Sequence, residues 1–224
     1  MIDPTTPSAT SYPETPRTTL QRMPARGTYD RAVVHAILDE ALVCHMGFVQ
    51  DGVPFVIPTT FVRDGEMLYV HGAVASRTLK LLASGAPIGV TVTLVDGLVL
   101  ARTAFHHSMN YRSVVILGRA RELWDPAEKR RIFAKLVDKV SPGRAAKVRE
   151  PNDKELRATS LLAIPLVEVS AKVRTGMPKA EDDAADAVAP VWAGVVPLRL
   201  MAAPAKAENE DAEQYMLPRL PAWA

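Results

Sequence analysis

Residues 42–71 constrain the fold of this 224-residue chain more than any other stretch. They contain the β-rich runs "LVCHMGFVQ", "VPFVIPTTFVR" and "EMLYVH", which are separated by Asp51-Gly52 and Asp64-Gly65. An Asp-Gly pair between β-branched runs favours a tight hairpin turn, because both residues adopt positive φ readily. The segment therefore predicts a three-stranded antiparallel meander.

Later segments continue this pattern. The runs "PIGVTVTLVDGLVLA" and "YRSVVILGRARELW" are again β-rich, and "SLLAIPLVEVSAKVR" is interpreted as one last long strand. About six strands joined by hairpins, with few helices between them, predict a mainly β fold. We expect a closed antiparallel barrel, since closure leaves no exposed strand edge.

Three helices are predicted, one before the first strand and two between later strands. The first follows the capping residue Asp30, and the second runs from Ser76 to about Ala83. The third lies in "DPAEKRRIFAKLVDKV", where Asp125 caps and Pro126 takes the first position. The buried stripe of this helix is predicted to consist of Ile132, Phe133, Leu136, Val137 and Val140. Its solvent-facing side is predicted to carry Lys129, Arg130 and Arg131.

Composition narrows the class of protein. Hydrophobic residues make up 48% of the chain, which is enough to build a core, and the net charge of +2 argues against a nucleic-acid or membrane partner. The single cysteine, Cys44, is predicted to be a buried inert thiol, and it permits no intrachain disulfide. We therefore expect a cytoplasmic protein, with a flexible arm over residues 1–24, one domain over 25–200 and a tail over 201–224. The acidic stretch 180–188 is expected to be surface or linker.

The stretch "LYVHGAVASRTLK" places a strand directly before a helix that begins at Ser76. A helix start offers free backbone N–H groups and a partial positive charge. Arg77 adds a planar fork that matches phosphate oxygens, and Lys80 follows on the same helical face. These residues are typical of a phosphate site, although an ordinary serine cap beside two solvated cations explains them equally well.

The chain as a whole resembles a known family. The segments "RGTYDRAVVHAIL", "GFVQDGVPFVIPTTFVRDGEMLYVHGAVASRTLK" and "GAPIGVTVTLVDGLVLARTAFHHSMNYRSVVILGRA" are similar to the pyridoxamine 5′-phosphate oxidase-like FMN-binding split barrels. The resemblance covers roughly residues 24–198 and is strongest to the branch containing nitroimidazole-resistance proteins. It implies a split β-barrel, an antiparallel six-stranded Greek-key barrel, that forms a homodimer with FMN at the subunit interface.

The resemblance also implies a set of cofactor-binding residues. The "ASRTLK" segment would hold the FMN phosphate, "IPTTF" would run beside the flavin ring, and "SMNYRSV" would reach the ring from the neighbouring subunit. The implied contacts are Ser76, Arg77 and Lys80 at the phosphate; Pro58, Thr59, Thr60, Phe61, Tyr69 and His71 along two strands; and Asn110, Tyr111, Arg112 and Trp192.

The implied activity is that of an FMN-dependent oxidoreductase. A transiently bound reduced nicotinamide, NADH or NADPH, would reduce the flavin, which would pass electrons to a small nitro- or quinone-like acceptor. Vitamin B6 oxidases end in a basic, histidine-containing motif, whereas this chain ends "EDAEQYMLPRLPAWA", which argues against oxidation of pyridoxamine phosphate. The alternatives are a non-catalytic flavin- or haem-binding carrier or sensor, and a dimeric scaffold with an empty groove.

His71 is the candidate catalytic residue. It precedes the phosphate segment, where related proteins have a histidine, and it would donate a proton or contact the flavin. A hydrogen-bonded structural histidine explains it equally well. The five histidines lack the spacing of metal ligands, so no metal site is predicted.

Overall fold

The computed structural model describes residues 10–179 and 187–221. These residues form two compact units. Unit 1 comprises the described residues of Met1–Ala41, Val90–Ile116 and Val167–Arg199, and unit 2 those of Leu42–Gly89, Leu117–Leu166 and Leu200–Ala224. Within the described ranges, no helix combines the length and apolar character needed to cross a membrane.

The described residues form ten strands and five α-helices. The strands are β1 (Gly27–Thr28), β2 (Val43–Gln50), β3 (Val53–Asp64), β4 (Met67–Ala73), β5 (Pro87–Leu100), β6 (Ser108–Arg119), β7 (Arg121–Glu122), β8 (Thr159–Pro165), β9 (Glu168–Arg174) and β10 (Gly194–Pro197). The helices are α1 (Arg31–Glu40), α2 (Arg77–Ala83), α3 (Pro126–Val140), α4 (Asp153–Ala158) and α5 (Glu210–Glu213).

Unit 2 contains the predicted meander, which is confirmed. Strands β2, β3 and β4 pair antiparallel in chain order, and β8 and β7 extend the sheet beyond β4. Asp51 and Gly52 form the first turn with φ of 53° and 77°, and Gly65 begins the second with φ of 55°. Positive φ at these positions explains why Asp and Gly occupy them.

Unit 1 holds the strand order β1-β9-β6-β5, and β10 pairs antiparallel with β5. The mainly β antiparallel class is therefore confirmed, although the described strands outnumber the six that were expected. The predicted last long strand is wrong, because residues 159–174 form β8 and β9 in different units. Pro165 has no N–H with which to extend the ladder, and the N–H of Leu166 donates to the Glu66 carbonyl at 2.9 Å.

All three predicted helices are present with their predicted caps. Asp30 accepts from the N–H of Val33, Ser76 from that of Leu79, and Asp125 from that of Ala127. Short polar residues such as Asp and Ser are preferred at the N-cap, because the side chain accepts a hydrogen bond from a helix N–H that has no partner within the helix.

The solvent-side prediction for Lys129 is wrong, since only 7% of its surface is exposed. Lys129 lies three residues before the buried Ile132 and therefore shares its helix face. At the other end of α3, Val140 is exposed although it was assigned to the buried stripe. The sheet face formed by β3, β4 and β8 packs against α3 and forms a hydrophobic core with it. The buried residues of this core are Val62, Tyr69, Leu123, Ile132, Leu136, Leu161 and Ala163, and Met67 and Phe133 lie at its edge.

Part of the predicted N-terminal arm makes specific contacts in unit 1. Tyr12 is buried, and its hydroxyl lies 2.9 Å from Nε2 of His35. The Arg31 guanidinium lies 4.3 Å from the centre of the Tyr12 ring, and Arg17 forms an ion pair with Glu168. Residues 1–9 of the arm and 180–186 of the acidic stretch lie outside the described residues.

Candidate functional site

The junction between β4 and α2 holds the predicted phosphate-binding residues. The Ser76 hydroxyl accepts from the N–H of Leu79 at 3.3 Å, so it acts as the helix cap. Gly72 lies close to this helix, and a Cβ atom there would lie 2.8 Å from Cδ1 of Leu79, so that a larger residue would require the Leu79 side chain to shift. Arg77 and Lys80 are exposed, and among the residues described here neither side chain has a hydrogen-bonded or ion-paired partner. The junction therefore carries two unpaired positive charges within one helical turn.

The predicted ring-lining residues lie on both faces of β3. Pro58 and Thr60 are exposed on one face, whereas Thr59 and the buried Phe61 lie on the other. The Lys139 ammonium lies 3.7 Å from the centre of the Phe61 ring. Alternation along the strand means that these four side chains cannot all line one ring. A flat ligand beside β3 would meet the Pro58 and Thr60 side chains or the strand's backbone.

His71 lies on the β4 face that packs against α3. Its ring meets the Phe133 ring edge-on, with the centres 5.8 Å apart. Nδ1 of His71 is buried and has no hydrogen-bond partner among the described residues, and burial lowers the pKa of this imidazole below its ordinary value. His71 is therefore a neutral ring with an unsatisfied nitrogen. Tyr69 shares this face but lies in the core beneath α3.

The three predicted residues of β6 lie in unit 1, and two of them are committed to protein contacts. Oδ1 of Asn110 accepts from the Arg174 guanidinium, and Nδ2 of Asn110 donates to the Gly176 carbonyl at 3.1 Å. Tyr111 is half-buried. Asn110 and Arg174 are each only 8% exposed, which identifies a buried polar cluster.

Arg112 is held between two carboxylates of unit 1. Its guanidinium donates to Glu40 at 2.5 and 2.8 Å and to Asp96 at 2.7 and 3.0 Å. The hydrogen bonds that Arg112 donates to Glu40, and then those to Asp96, hold the pKa of Arg112 above its ordinary value. Four of the five N–H groups of Arg112 are therefore used, which leaves one for any ligand.

Trp192 lies just before β10. Its indole packs on Gly194, where a Cβ atom would lie 2.8 Å from Cζ2 of the ring. The rest of the indole is exposed. The absence of a Cβ atom at Gly194 thus leaves space for the ring at the start of β10.

A cavity of about 580 Å³ in unit 2 was not predicted from the sequence. It is lined by residues of α2, α3, α4 and the segment around β7, which only the tertiary fold brings together. Its polar and aromatic lining consists of Lys80, Glu122, Trp124, Lys129, Asp153, Arg157 and Ser160. The available sequence signal was Trp124, an aromatic residue directly before a helix cap.

Cys44 is buried, as predicted. Burial raises the pKa of its thiol to about 12, although the nearby Lys139 charge opposes this shift. The thiol is therefore protonated at neutral pH and is a poor nucleophile.

The fold and the sequence together define the class of protein. The chain belongs to the pyridoxamine 5′-phosphate oxidase family, which matches residues 30–173. The family resemblance read from the sequence is confirmed. A comparison with curated proteins gives no match.

Two solved structures are similar over most of the chain. The flavocytochrome Anf3 from Azotobacter vinelandii shares 39% identity over 91% of this chain and 94% of its own, with a TM-score of 0.83. The FAD and haem binding protein from Mycobacterium smegmatis shares 37% identity over 86% of this chain and 94% of its own, with a TM-score of 0.79. A candidate 5-nitroimidazole antibiotic resistance protein from Bacteroides thetaiotaomicron shares 21% identity over 66% of this chain and 86% of its own, with a TM-score of 0.56, and shares the fold.

Proposed function

We propose that this protein is a flavin-dependent oxidoreductase that binds the riboflavin 5′-phosphate portion common to FMN and FAD. The observation that carries the proposal is the pair of cationic side chains, Arg77 and Lys80, at the β4–α2 junction, which have no partner within residues 10–179 and 187–221. Structures of two relatives with at least 37% identity, a flavocytochrome and an FAD and haem binding protein, support it. The flavin would supply the redox chemistry, and the chain would bind and orient it.

In this proposal Arg77, whose planar guanidinium suits phosphate oxygens, and Lys80, through its ammonium, would hold the phosphate. The Ser76 hydroxyl caps α2, so its contribution is to hold the helix start in place. The exposed face of β3 at Pro58 and Thr60 would flank the ring. Thr59, Phe61 and Tyr69 would act through packing, since they lie on the opposite face or in the core.

The remaining proposed parts come from the family resemblance. The chain would form a homodimer with the flavin at the subunit interface, where Tyr111 of the neighbouring subunit would contact the ring and Trp192 would cover part of the flavin face. Asn110 and Arg112 would position that segment, because their polar groups are largely used within unit 1. NADH or NADPH would donate electrons transiently, a small nitro- or quinone-like molecule would accept them, and the protein would act in the cytoplasm.

A direct test compares Arg77→Ala with the control Arg121→Ala, an exposed arginine of unit 2 outside the proposed site. Loss of a charge-assisted hydrogen-bonding group costs about 1.5–3 kcal/mol, or roughly 10- to 150-fold in affinity. In a titration that follows flavin fluorescence, Arg77→Ala should weaken flavin binding by this factor and Arg121→Ala should leave it unchanged. Equal affinity in the wild type and Arg77→Ala would contradict the phosphate assignment.

A second candidate function is haem binding, with or without catalysis. Both relatives named above support it, and His71 would hold the haem iron, because burial favours its neutral imidazole and its Nδ1 has no hydrogen-bond partner among the described residues. The edge contact with Phe133 would help to orient the ring. A carrier or sensor would hold the cofactor without turning over a nicotinamide.

The test for haem is the visible spectrum of protein supplied with haem, measured for His71→Ala and for the exposed control His45→Ala. If His71 is a ligand, its replacement should shift or abolish the Soret band while the flavin bands persist, and His45→Ala should change neither. An unaltered Soret band in His71→Ala would exclude His71 as the ligand.

A further inference from the structure

The cavity of unit 2 has walls that the proposed flavin site does not use. Lys80 lines the cavity and also belongs to that site, whereas Ser76 and Arg77 do not line the cavity. Most of the other lining comes from the segment around β7, the start of α3, and α4 with the first residues of β8. The volume of about 580 Å³ lies within the roughly 300–1,000 Å³ typical of small-molecule sites. The cavity therefore has room for a ligand of its own.

One wall of the cavity carries a buried positive charge. Lys129 is 7% exposed, and its ammonium donates to the carbonyls of Leu156 and Thr159 at 3.4 and 3.0 Å. An ammonium has three N–H donors, and the third has no partner in the described part of the chain. A charge removed from water gains most from an oppositely charged partner that also accepts its hydrogen bond. Lys129 therefore provides a binding point for an anionic group in the cavity.

The other charged walls favour an anion with a single charge. Among the described residues that line the cavity, three cationic and two acidic side chains leave a net charge of +1. Glu122 is half-buried and accepts from the buried Ser160 hydroxyl at 2.8 Å, and Asp153 pairs with Arg130 at 2.5 Å. The Glu122 carboxylate would repel a phosphate dianion about twice as strongly as a carboxylate at the same distance. A carboxylate therefore suits this cavity better than a phosphate.

The solvent-exposed side of the cavity offers an aromatic surface. Trp124 is 76% exposed and directly precedes Asp125, the cap of α3. Val74, Pro126 and Leu156 add apolar walls. An indole presents a large flat surface on which a second aromatic ring stacks and removes apolar area from water. The cavity thus combines an exposed aromatic surface with a buried positive charge, which together match a flat apolar ligand that carries one carboxylate.

We propose that this cavity is a binding site for a small aromatic monocarboxylate. The carboxylate accepts from the Lys129 ammonium, and the aromatic ring stacks on Trp124. The cavity binds this ligand whether or not a flavin is present, because neither contact involves a residue of the proposed flavin site. The inference therefore goes beyond the proposed function and does not depend on it.

The experiment measures the binding of three probes to the purified full-length protein by isothermal titration calorimetry. The probes are 2-naphthoate, the neutral 2-naphthamide and the doubly charged 2-naphthyl phosphate, which share the same rings. The variants are Lys129→Met, Trp124→Ala and the control Tyr215→Ala, an aromatic residue of unit 2 that is 73% exposed and lies outside this cavity. Lys129→Met leaves two carbonyls without their donor, so circular dichroism checks its folding. Trp124→Ala alters a mostly exposed side chain and tests the site independently.

We expect 2-naphthoate to bind at least about ten-fold more tightly than 2-naphthamide, since a hydrogen bond to a charged group is worth roughly 10- to 150-fold in affinity. Lys129→Met should abolish this preference. Trp124→Ala should weaken both probes roughly ten-fold and keep the preference, because it removes the stacking surface alone. 2-Naphthyl phosphate should bind no more tightly than 2-naphthoate. Tyr215→Ala should match the wild type, and saturation with FMN should leave the 2-naphthoate affinity unchanged.

Equal affinity for 2-naphthoate and 2-naphthamide would overturn this inference, as would a Trp124→Ala variant that keeps the wild-type affinity. Tighter binding of 2-naphthyl phosphate would show that the cavity takes a dianion and that the inference is wrong. Displacement of 2-naphthoate by FMN, FAD or haem would assign the cavity to a cofactor and would also overturn the inference. A protein that binds 2-naphthoate as expected but binds no flavin would contradict the proposed function and leave this inference intact.

Discussion

Replacing Asn110 by Ala distinguishes a structural role from direct cofactor contact. The resemblance assigns Asn110 to the flavin, yet the structure uses its amide to hold Arg174 and the Gly176 carbonyl. Arg174 is 8% exposed, and burial lowers the pKa of its guanidinium below the ordinary value. The Asn110 oxygen is therefore a compensating partner for a desolvated charge.

The expected cost follows from these contacts. A hydrogen bond to a charged group contributes about 1.5–3 kcal/mol, and the neutral hydrogen bond to the carbonyl of the exposed Gly176 contributes roughly 0.5–1 kcal/mol more. We therefore expect Asn110→Ala to lower the free energy of unfolding by about 2–4 kcal/mol. With a urea m-value of about 2 kcal/mol/M, the unfolding midpoint should fall by roughly 1–2 M.

The assay is urea unfolding followed by circular dichroism, in flavin-free protein. Two variants serve as controls. Asn110→Asp keeps an acceptor for Arg174 and should lose less stability than Asn110→Ala. Ser113→Ala removes a single hydrogen bond of 3.3 Å to the Lys172 carbonyl and should cost under about 1 kcal/mol. An Asn110→Ala variant with an unchanged midpoint but weakened flavin binding would refute the structural role.

Three further predictions concern other parts of the chain. Cys44, with a pKa of about 12, should not react with iodoacetamide in the native protein at pH 8 but should react once urea is added. Mass spectrometry measures the extent of labelling, and rapid labelling of the native protein would contradict the burial of this thiol. Gly194→Val should displace the mostly exposed Trp192 indole at a cost of under about 1 kcal/mol and change the tryptophan emission; an unchanged emission would argue against this packing. Burial lowers the pKa of His71 in the folded protein, so the imidazole of the unfolded chain is protonated first as the pH falls through about 6.5. The free energy of unfolding, measured by urea titration, should therefore decline below this pH, and it should decline less steeply in His71→Gln.

The elements that local chemistry dictates were predictable from the sequence. Positive φ at Gly52 and the side-chain caps at Asp30, Ser76 and Asp125 depend on neighbouring residues only. These local signals were enough to predict the meander and the helices α1, α2 and α3. The break between β8 and β9 was not predicted, because a continuous apolar run has the same sequence pattern whether the chain stays extended or turns after Pro165.

The candidate site was only partly predictable. The placement of Arg77 and Lys80 in the first turn of α2 could be predicted, because the sequence shows where this helix begins. The burial of Lys129 depends on carbonyls of Leu156 and Thr159, which are 27 and 30 residues away in the chain. The engagement of Arg112 by Glu40 spans 72 residues, and the cavity beside Trp124 is formed by several separate segments. Such long-range contacts leave no periodic trace in the sequence.

The visible absorption spectrum of the purified chain is the most direct measurement of flavin binding. The protein is incubated with excess flavin and then separated from free flavin by gel filtration. We expect the two visible bands of an oxidised flavin to elute with wild-type protein and to be depleted in Arg77→Ala. A colourless wild-type protein that leaves all the flavin in the free fraction would contradict the assignment of the β4–α2 junction as a flavin phosphate site.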